Sequence, residues 1–190
     1  MKALLSLALL IFGAIQYYSF CGSNKKVVMI IGASCSGKSS LSKELLKNLG
    51  YKWKFIELDA IEDEFKLKKL DFTNADLINA IVYRSNIHLA NDYNVLIDTN
   101  IYDPQLLTIN SPLKKRIFVY CPLPVLLERN KNRDIKLNRD SKRSRNAYDY
   151  VEHTYKNFCF FSEYDLLVDS SVQNVCDSCQ YIMKYLKNID

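Results

Sequence analysis

Eight residues constrain this chain more than any others. Gly32-Ala33-Ser34-Cys35-Ser36-Gly37-Lys38-Ser39 fits G-x-x-x-x-G-K-[ST], the pattern of a phosphate-binding P-loop. The flanks fit as well. Lys26 to Ile31 is apolar and β-branched and reads as a buried strand. Ser40 to Leu49 reads as a helix with Leu41, Leu45, Leu46 and Leu49 on one face and Gly50 as its stop. In a strand–loop–helix unit the loop amides surround phosphate oxygens and the helix N-terminus adds partial positive charge. Gly32 and Gly37 allow close backbone approach and positive φ. The predicted phosphate site therefore comprises Gly32, Ala33, Ser34, Cys35, Ser36, Gly37, Lys38, Ser39 and Ser40. Lys38 would reach the β- and γ-phosphates of ATP, and the Ser39 hydroxyl would bind Mg²⁺.

A chain of 190 residues suits one domain with a full core. Its 48% apolar and 25% charged residues are those of a globular protein. The net charge of +5 suits an anionic ligand such as a nucleotide, without indicating a nucleic-acid binder. Residues 1–24 stand apart. Lys2 precedes the apolar run Ala3 to Ile15, and small residues follow at Ser19, Cys21 and Ser23. That is the shape of a signal peptide, cut after Cys21, which would make the domain a secreted or exported one. Two alternatives are a hydrophobic anchor over residues 3–20 with a cytoplasmic domain, and a cytoplasmic protein whose start lies nearer Met29. On each reading the folded domain is 25–190.

Six cysteines do not form a disulfide framework by position. Cys35 is in the loop, Cys121 ends a predicted strand, and Cys159 sits in an aromatic helix. Cys176 and Cys179 form C-x-x-C on a predicted helix without a second ligand pair for zinc. They read as small apolar residues on core faces.

Further strands are expected at Trp53 to Leu58, Asn94 to Asp98, Arg116 to Cys121 and Tyr164 to Val168. Further helices are expected at Ala60 to Leu70, Asn74 to Asn91, Pro122 to Asn132, Asn146 to Phe161 and Val172 to Leu186. In the second of these helices Leu77, Ile81, Ile87 and Ala90 suggest the buried side. Alternating strands and helices imply a parallel sheet covered on both faces. Ligands then sit beyond the carboxyl ends of the strands, where Ser34, Asp59 and Asp98 should converge.

Asp98 follows Val95-Leu96-Ile97, an apolar strand ending in a carboxylate that would hold Mg²⁺ beside Ser39. Its bland alternative is a turn cap. Asp59 would stand across from the γ-phosphate and accept the proton of an attacking hydroxyl. Its alternative is an N-cap for a helix starting at Ala60. Arg129 and Arg133 lie one helical turn apart where a basic stretch opens; from Arg129 to Arg145, eight Lys or Arg face only Asp134 and Asp140. Such a stretch could form a mobile lid that excludes water and balances transition-state charge, or a solvated face.

With these residues in view, the chain resembles the chloramphenicol-phosphotransferase-like P-loop small-molecule kinases from about Val27 to Leu186. The likeness rests on Gly32 to Ser40, Leu58-Asp59, Asn94-Val95-Leu96-Ile97-Asp98, Cys121-Pro122-Leu123 with Arg129 and Arg133 beyond, and Tyr164-Asp165-Leu166-Leu167-Val168-Asp169. It implies an α/β P-loop kinase fold with a five-stranded parallel sheet in the order 2-3-1-4-5. It also implies an ATP-dependent hydroxyl kinase with Asp59 as the proton acceptor and Arg129 and Arg133 in the lid. The chain departs from the pattern at Thr99-Asn100, where a second acid is absent, and between Glu62 and Asn91, which would shape the acceptor pocket.

The leading expectation is a kinase for a hydroxyl of a small molecule. Nucleotide kinases, polynucleotide 5′-hydroxyl kinases and toxin-type sugar-nucleotide kinases belong to the same class. Two other classes stay open: a nucleotide-binding switch that hydrolyses slowly, and an inactive protein whose loop persists as structure. The acceptor and the oligomeric state are not legible in the sequence.

Overall fold

The computed structural model describes residues 24–159 and 161–188. Apart from Asn24, the expected leader over residues 1–24 lies outside the described residues. Among those residues, no helix is long and apolar enough to cross a membrane.

Five strands pair in one parallel sheet: β1 (Lys26–Ile31), β2 (Trp53–Glu57), β3 (Asn94–Thr99), β4 (Leu113–Tyr120) and β5 (Leu166–Asp169). Their order is β2-β3-β1-β4-β5, as the resemblance implies. The helices are α1 (Lys38–Leu49), α2 (Leu58–Leu67), α3 (Asn74–Ala90), α4 (Leu123–Lys136), α5 (Ser141–Phe158) and α6 (Val175–Lys187), with a 3₁₀ turn at Pro104–Thr108. The central strand shows why the sheet is two-sided. Val27, Met29 and Ile31 of β1 face a core built with α2, α3, α4 and α5. Val28 and Ile30 face a second core built with α1 and α6. Successive side chains of a strand alternate between faces, so an unbroken apolar run is what a strand buried on both sides requires.

That alternation also aims the chemistry. Asp98 shares its side of β3 with Leu96, whose face is covered by α1. In register, Asp98 stands beside Ile30 of β1 and Glu57 of β2. The P-loop helix and the carboxylate therefore meet at the same end of the sheet.

Several local expectations are corrected. β2 stops at Glu57, and Leu58 and Asp59 are already helical. Leu58 and Ile61, three apart, are both buried and draw the helix start back onto the sheet. Asp59 is thus not an N-cap: the cap is Glu57, and it makes no side-chain cap bond. In α3 the buried stripe is Leu77, Ile78, Ile81, Ser85 and Leu89. The expected Ile87 and Ala90 are exposed, because the helix is turned toward Ile78. The polar, basic stretch from Arg133 to Arg145, expected between two helices, is itself helical for most of its length. α4 runs on to Lys136, and Asp140 caps α5 by accepting from the Arg143 amide. Only residues 137–140 connect them. Cys121 and Cys179 are buried, but Cys159 and Cys176 are exposed and not on a core face.

Candidate active site

The loop between β1 and α1 is held by contacts from β4, α4, α5 and the residue after β5. At Gly32 a Cβ would overlap the Val119 carbonyl oxygen of β4, so only glycine fits. Gly37 has φ 95°, in the left-handed region. Cys35 adopts φ 63°, which costs a non-glycine residue about 1–2 kcal/mol and persists only where surroundings fix it. Those surroundings are specific. The Ser34 amide donates to Thr154 Oγ1 of α5 at 3.0 Å. Ser170, just after β5, donates through its hydroxyl to the Ser36 carbonyl at 2.7 Å. Arg129 Nη1 of α4 donates to the Ser36 carbonyl at 3.3 Å and to Ser170 Oγ at 3.0 Å. The Cys35 thiol lies 3.8 Å from Asn130 Oδ1. Ser36 Oγ is buried without a partner among the described residues.

Lys38 folds back over the loop, and its ammonium donates to the Ala33 carbonyl at 2.8 Å. Burial lowers its pKa from the ordinary lysine value, against the pull of Asp98, Asp59 and Cys35. Asp98 is 3% exposed. Burial raises its carboxyl above the ordinary range; Lys38 and the Ser39 hydroxyl oppose that, while Glu57 and Asp59 add to it. Asp98 Oδ2 has no hydrogen-bond partner among the described residues. A buried, ionisable carboxylate oxygen left unpaired beside a serine hydroxyl is a fitting donor pair for a hard divalent cation. The residues present therefore fit Mg²⁺. By contrast, no group of three or more His, Cys, Asp or Glu among the described residues could hold a metal, so the C-x-x-C pair lacks further ligands.

These groups open into a cavity of about 410 Å³. Its walls bring together Ser34, Cys35, Gly37, Lys38, Ser39 and Ser40 from the loop, Asp59 from α2, Asp98 from β3, and Arg129 and Arg133 from α4. Gly32, Ala33 and Ser36 stand behind that wall and shape the loop. The two arginines differ. Arg129 is engaged by the loop carbonyls and Ser170. Arg133 lines the cavity without a side-chain partner among the described residues.

Sequence reasoning missed several residues. Glu57 and Asn100 also line the cavity, and Tyr150 OH accepts from Asn100 Nδ2 at 2.9 Å. Thr154 and Ser170 hold the loop. Ser170 follows the acid that ends β5, a detectable position. Thr154 and Tyr150 sit in a helix with no periodic signal for either contact.

Comparison with solved structures finds P-loop kinases. A kinase structure from Chloroflexus aurantiacus aligns at TM-score 0.61 and 17% identity, covering 88% of this chain and 98% of that one. Shikimate kinase from Bacteroides thetaiotaomicron aligns at TM-score 0.58 and 18% identity, over 85% and 98% of the two chains. The APS kinase of Mycobacterium tuberculosis, in complex with AMPPNP and APS, aligns at TM-score 0.64 and 16% identity, over 86% and 98%. At such identities the likeness concerns the fold. Comparison with curated protein sequences gives no match. The family model described as chloramphenicol phosphotransferase-like protein matches residues 25–187, nearly the whole described domain, and the chain belongs to that family.

Proposed function

We propose that this protein is an ATP-dependent kinase that transfers the γ-phosphoryl group of ATP to a hydroxyl of a small molecule. One observation carries the reading: Lys38, Asp98 and Asp59 line a single cavity at the carboxyl ends of the strands, with the loop between them. The family and the kinase fold neighbours support a small-molecule kinase in the coarser sense.

Phosphoryl transfer needs positioning and charge balance more than covalent assistance. Lys38 and the loop amides would bind and orient the phosphates. Ser39 and Asp98 would hold Mg²⁺, which supplies charge neutralisation on the phosphate oxygens. Asp59 would accept the acceptor hydroxyl's proton as its oxygen bonds to the γ-phosphorus and the bond to the ADP oxygen breaks. Arg133, without a side-chain partner among the described residues, would meet charge on the transferring group. Arg129 would keep the loop in shape.

Two variants test this. Lys38→Ala should abolish turnover with the fold intact. Asp59→Asn should leave ATP·Mg²⁺ affinity little changed while kcat falls on the order of 10²–10⁴-fold, the range for a lost general base. Turnover above about a tenth of wild type in Asp59→Asn would remove Asp59 as the base and favour a nucleotide-binding switch.

A further inference from the structure

The cavity has two halves of different chemistry. The loop, Arg129 and Arg133 form a cationic half. The opposite half is made by Lys43, Glu57, Leu58, Asp59, Thr99 and Asn100, and among them Leu58 is the one large apolar residue, its side chain turned into the core. Among the described residues, no aromatic one lines the cavity. Lys43, the cation on this side, is largely exposed and stands in an ion pair with Glu57 at 3.7 Å. Neither Glu57 nor Asp59 accepts a side-chain hydrogen bond among the described residues. Asn100 is held through Nδ2 by Tyr150 OH, and its Oδ1 has no partner. A buried amide oxygen left without a donor is disfavoured, and a ligand donor would relieve that cost. Tyr150, which holds Asn100, also feels the carboxylates of Asp59 and Glu62 of α2, with Lys66 of the same helix opposing them.

We propose, resting on the kinase reading above, that the phosphoryl acceptor is a neutral or cationic polyhydroxyl compound, such as a polyol or amino sugar. Glu57, Asp59 and the Asn100 carbonyl oxygen are hydrogen-bond acceptors and call for hydrogen-bond donors on the ligand. A carboxylated or phosphorylated acceptor would place its negative charge against Glu57 and Asp59, with Lys43 already paired. A flat apolar acceptor would leave the same oxygens desolvated and unpaired, which is how polar sites reject ligands lacking donors. Asn100 is a positioning residue on this reading, fixed by Tyr150 so that the amide serves the acceptor rather than the nucleotide.

The test uses the folded domain, γ-labelled ATP, and cell extract sorted by ion exchange into anionic, neutral and cationic small-molecule fractions, with nucleotide affinity measured in parallel. Labelled product from the neutral or cationic fraction supports the proposal. Product confined to the anionic fraction overturns it and leaves the kinase reading standing. ATP bound without product from any fraction ends the kinase reading itself. Once a product is found, Asn100→Leu should raise the KM for the acceptor by 10-fold or more with the KM for ATP unchanged. Asn100→Gln should recover part of that loss. Equal rises in both KM values would show Asn100 to be a merely structural residue and remove it from the acceptor site.

Discussion

Lys38 and Asp98 are buried charges whose surroundings disfavour both ionised forms. Asp98, raised by burial, contributes stability at low pH that is lost as pH rises through its folded value. Lys38, lowered by burial, contributes stability at high pH that is lost as pH falls through its folded value. Each ionised form therefore weighs against the fold, offset in part by the other. The double variant Lys38→Met/Asp98→Asn should be more stable than either single variant and no less stable than wild type, while turnover is lost. Thermal unfolding of the four proteins at pH 7 checks this, and a double variant melting below both singles would contradict it. The glycines, lysine, serine and aspartates were legible because phosphate and cation chemistry admits few residue types. Asn100 and Tyr150 were not, because their contact spans a separation of 50 residues and neither type is diagnostic.

At the scale of elements, α5 is the support that spans both sides of the cavity. Its Thr154 accepts from the Ser34 amide and donates to the Val151 carbonyl at 3.0 Å, while Tyr150, one turn earlier, holds Asn100. Thr154→Val keeps the shape and removes the acceptor, freeing a loop amide whose direction then varies. Nucleotide affinity should fall about 3–10-fold, in keeping with roughly 1 kcal/mol for one hydrogen bond, and Thr154→Ser should restore it. Isothermal titration with a non-hydrolysable ATP analogue would measure both, and unchanged affinity in Thr154→Val would refute the support role. The elements were largely readable from apolar runs and caps. Their ends were not. Asp59 reads as a strand terminus because apolar residues interspersed with Lys54 and Glu57 continue a strand-like pattern through Leu58, whereas burial of Leu58 with Ile61 makes that leucine helical.

For the whole molecule, the expected Mg²⁺ site links ligand binding to global stability and to pH. A cation that binds only the folded state raises the melting temperature by mass action. Its affinity falls as Asp98 is protonated, and the carboxyl's pKa is raised above the ordinary aspartate value. In ATP-analogue solutions, the gain in melting temperature from Mg²⁺ should be present at pH 7 and shrink as pH falls through that raised value. Asp98→Asn should show little gain at any pH. A gain of equal size at both ends of the pH range, or one undiminished in Asp98→Asn, would place the cation elsewhere. The sheet order follows the resemblance, since the loop, β1 and the crossover helices leave few arrangements of five parallel strands.

The register of β3 has a consequence for how such a protein can diversify. Asp98 reaches the α1 face because it lies two residues from Leu96, and side chains along a strand change face at every residue. Inserting or deleting one residue within Asn94–Thr99 would send the carboxylate to the opposite layer. The nucleotide half can therefore vary by substitution but not by length. The connection between α2 and α3, residues 68–73, lies outside the sheet and carries no such parity. Lengthening a surface connection is cheap in closure entropy, about 0.6 kcal/mol per doubling. A lineage, or an engineer, could add and remove residues there without disturbing the spacing that aims Asp98.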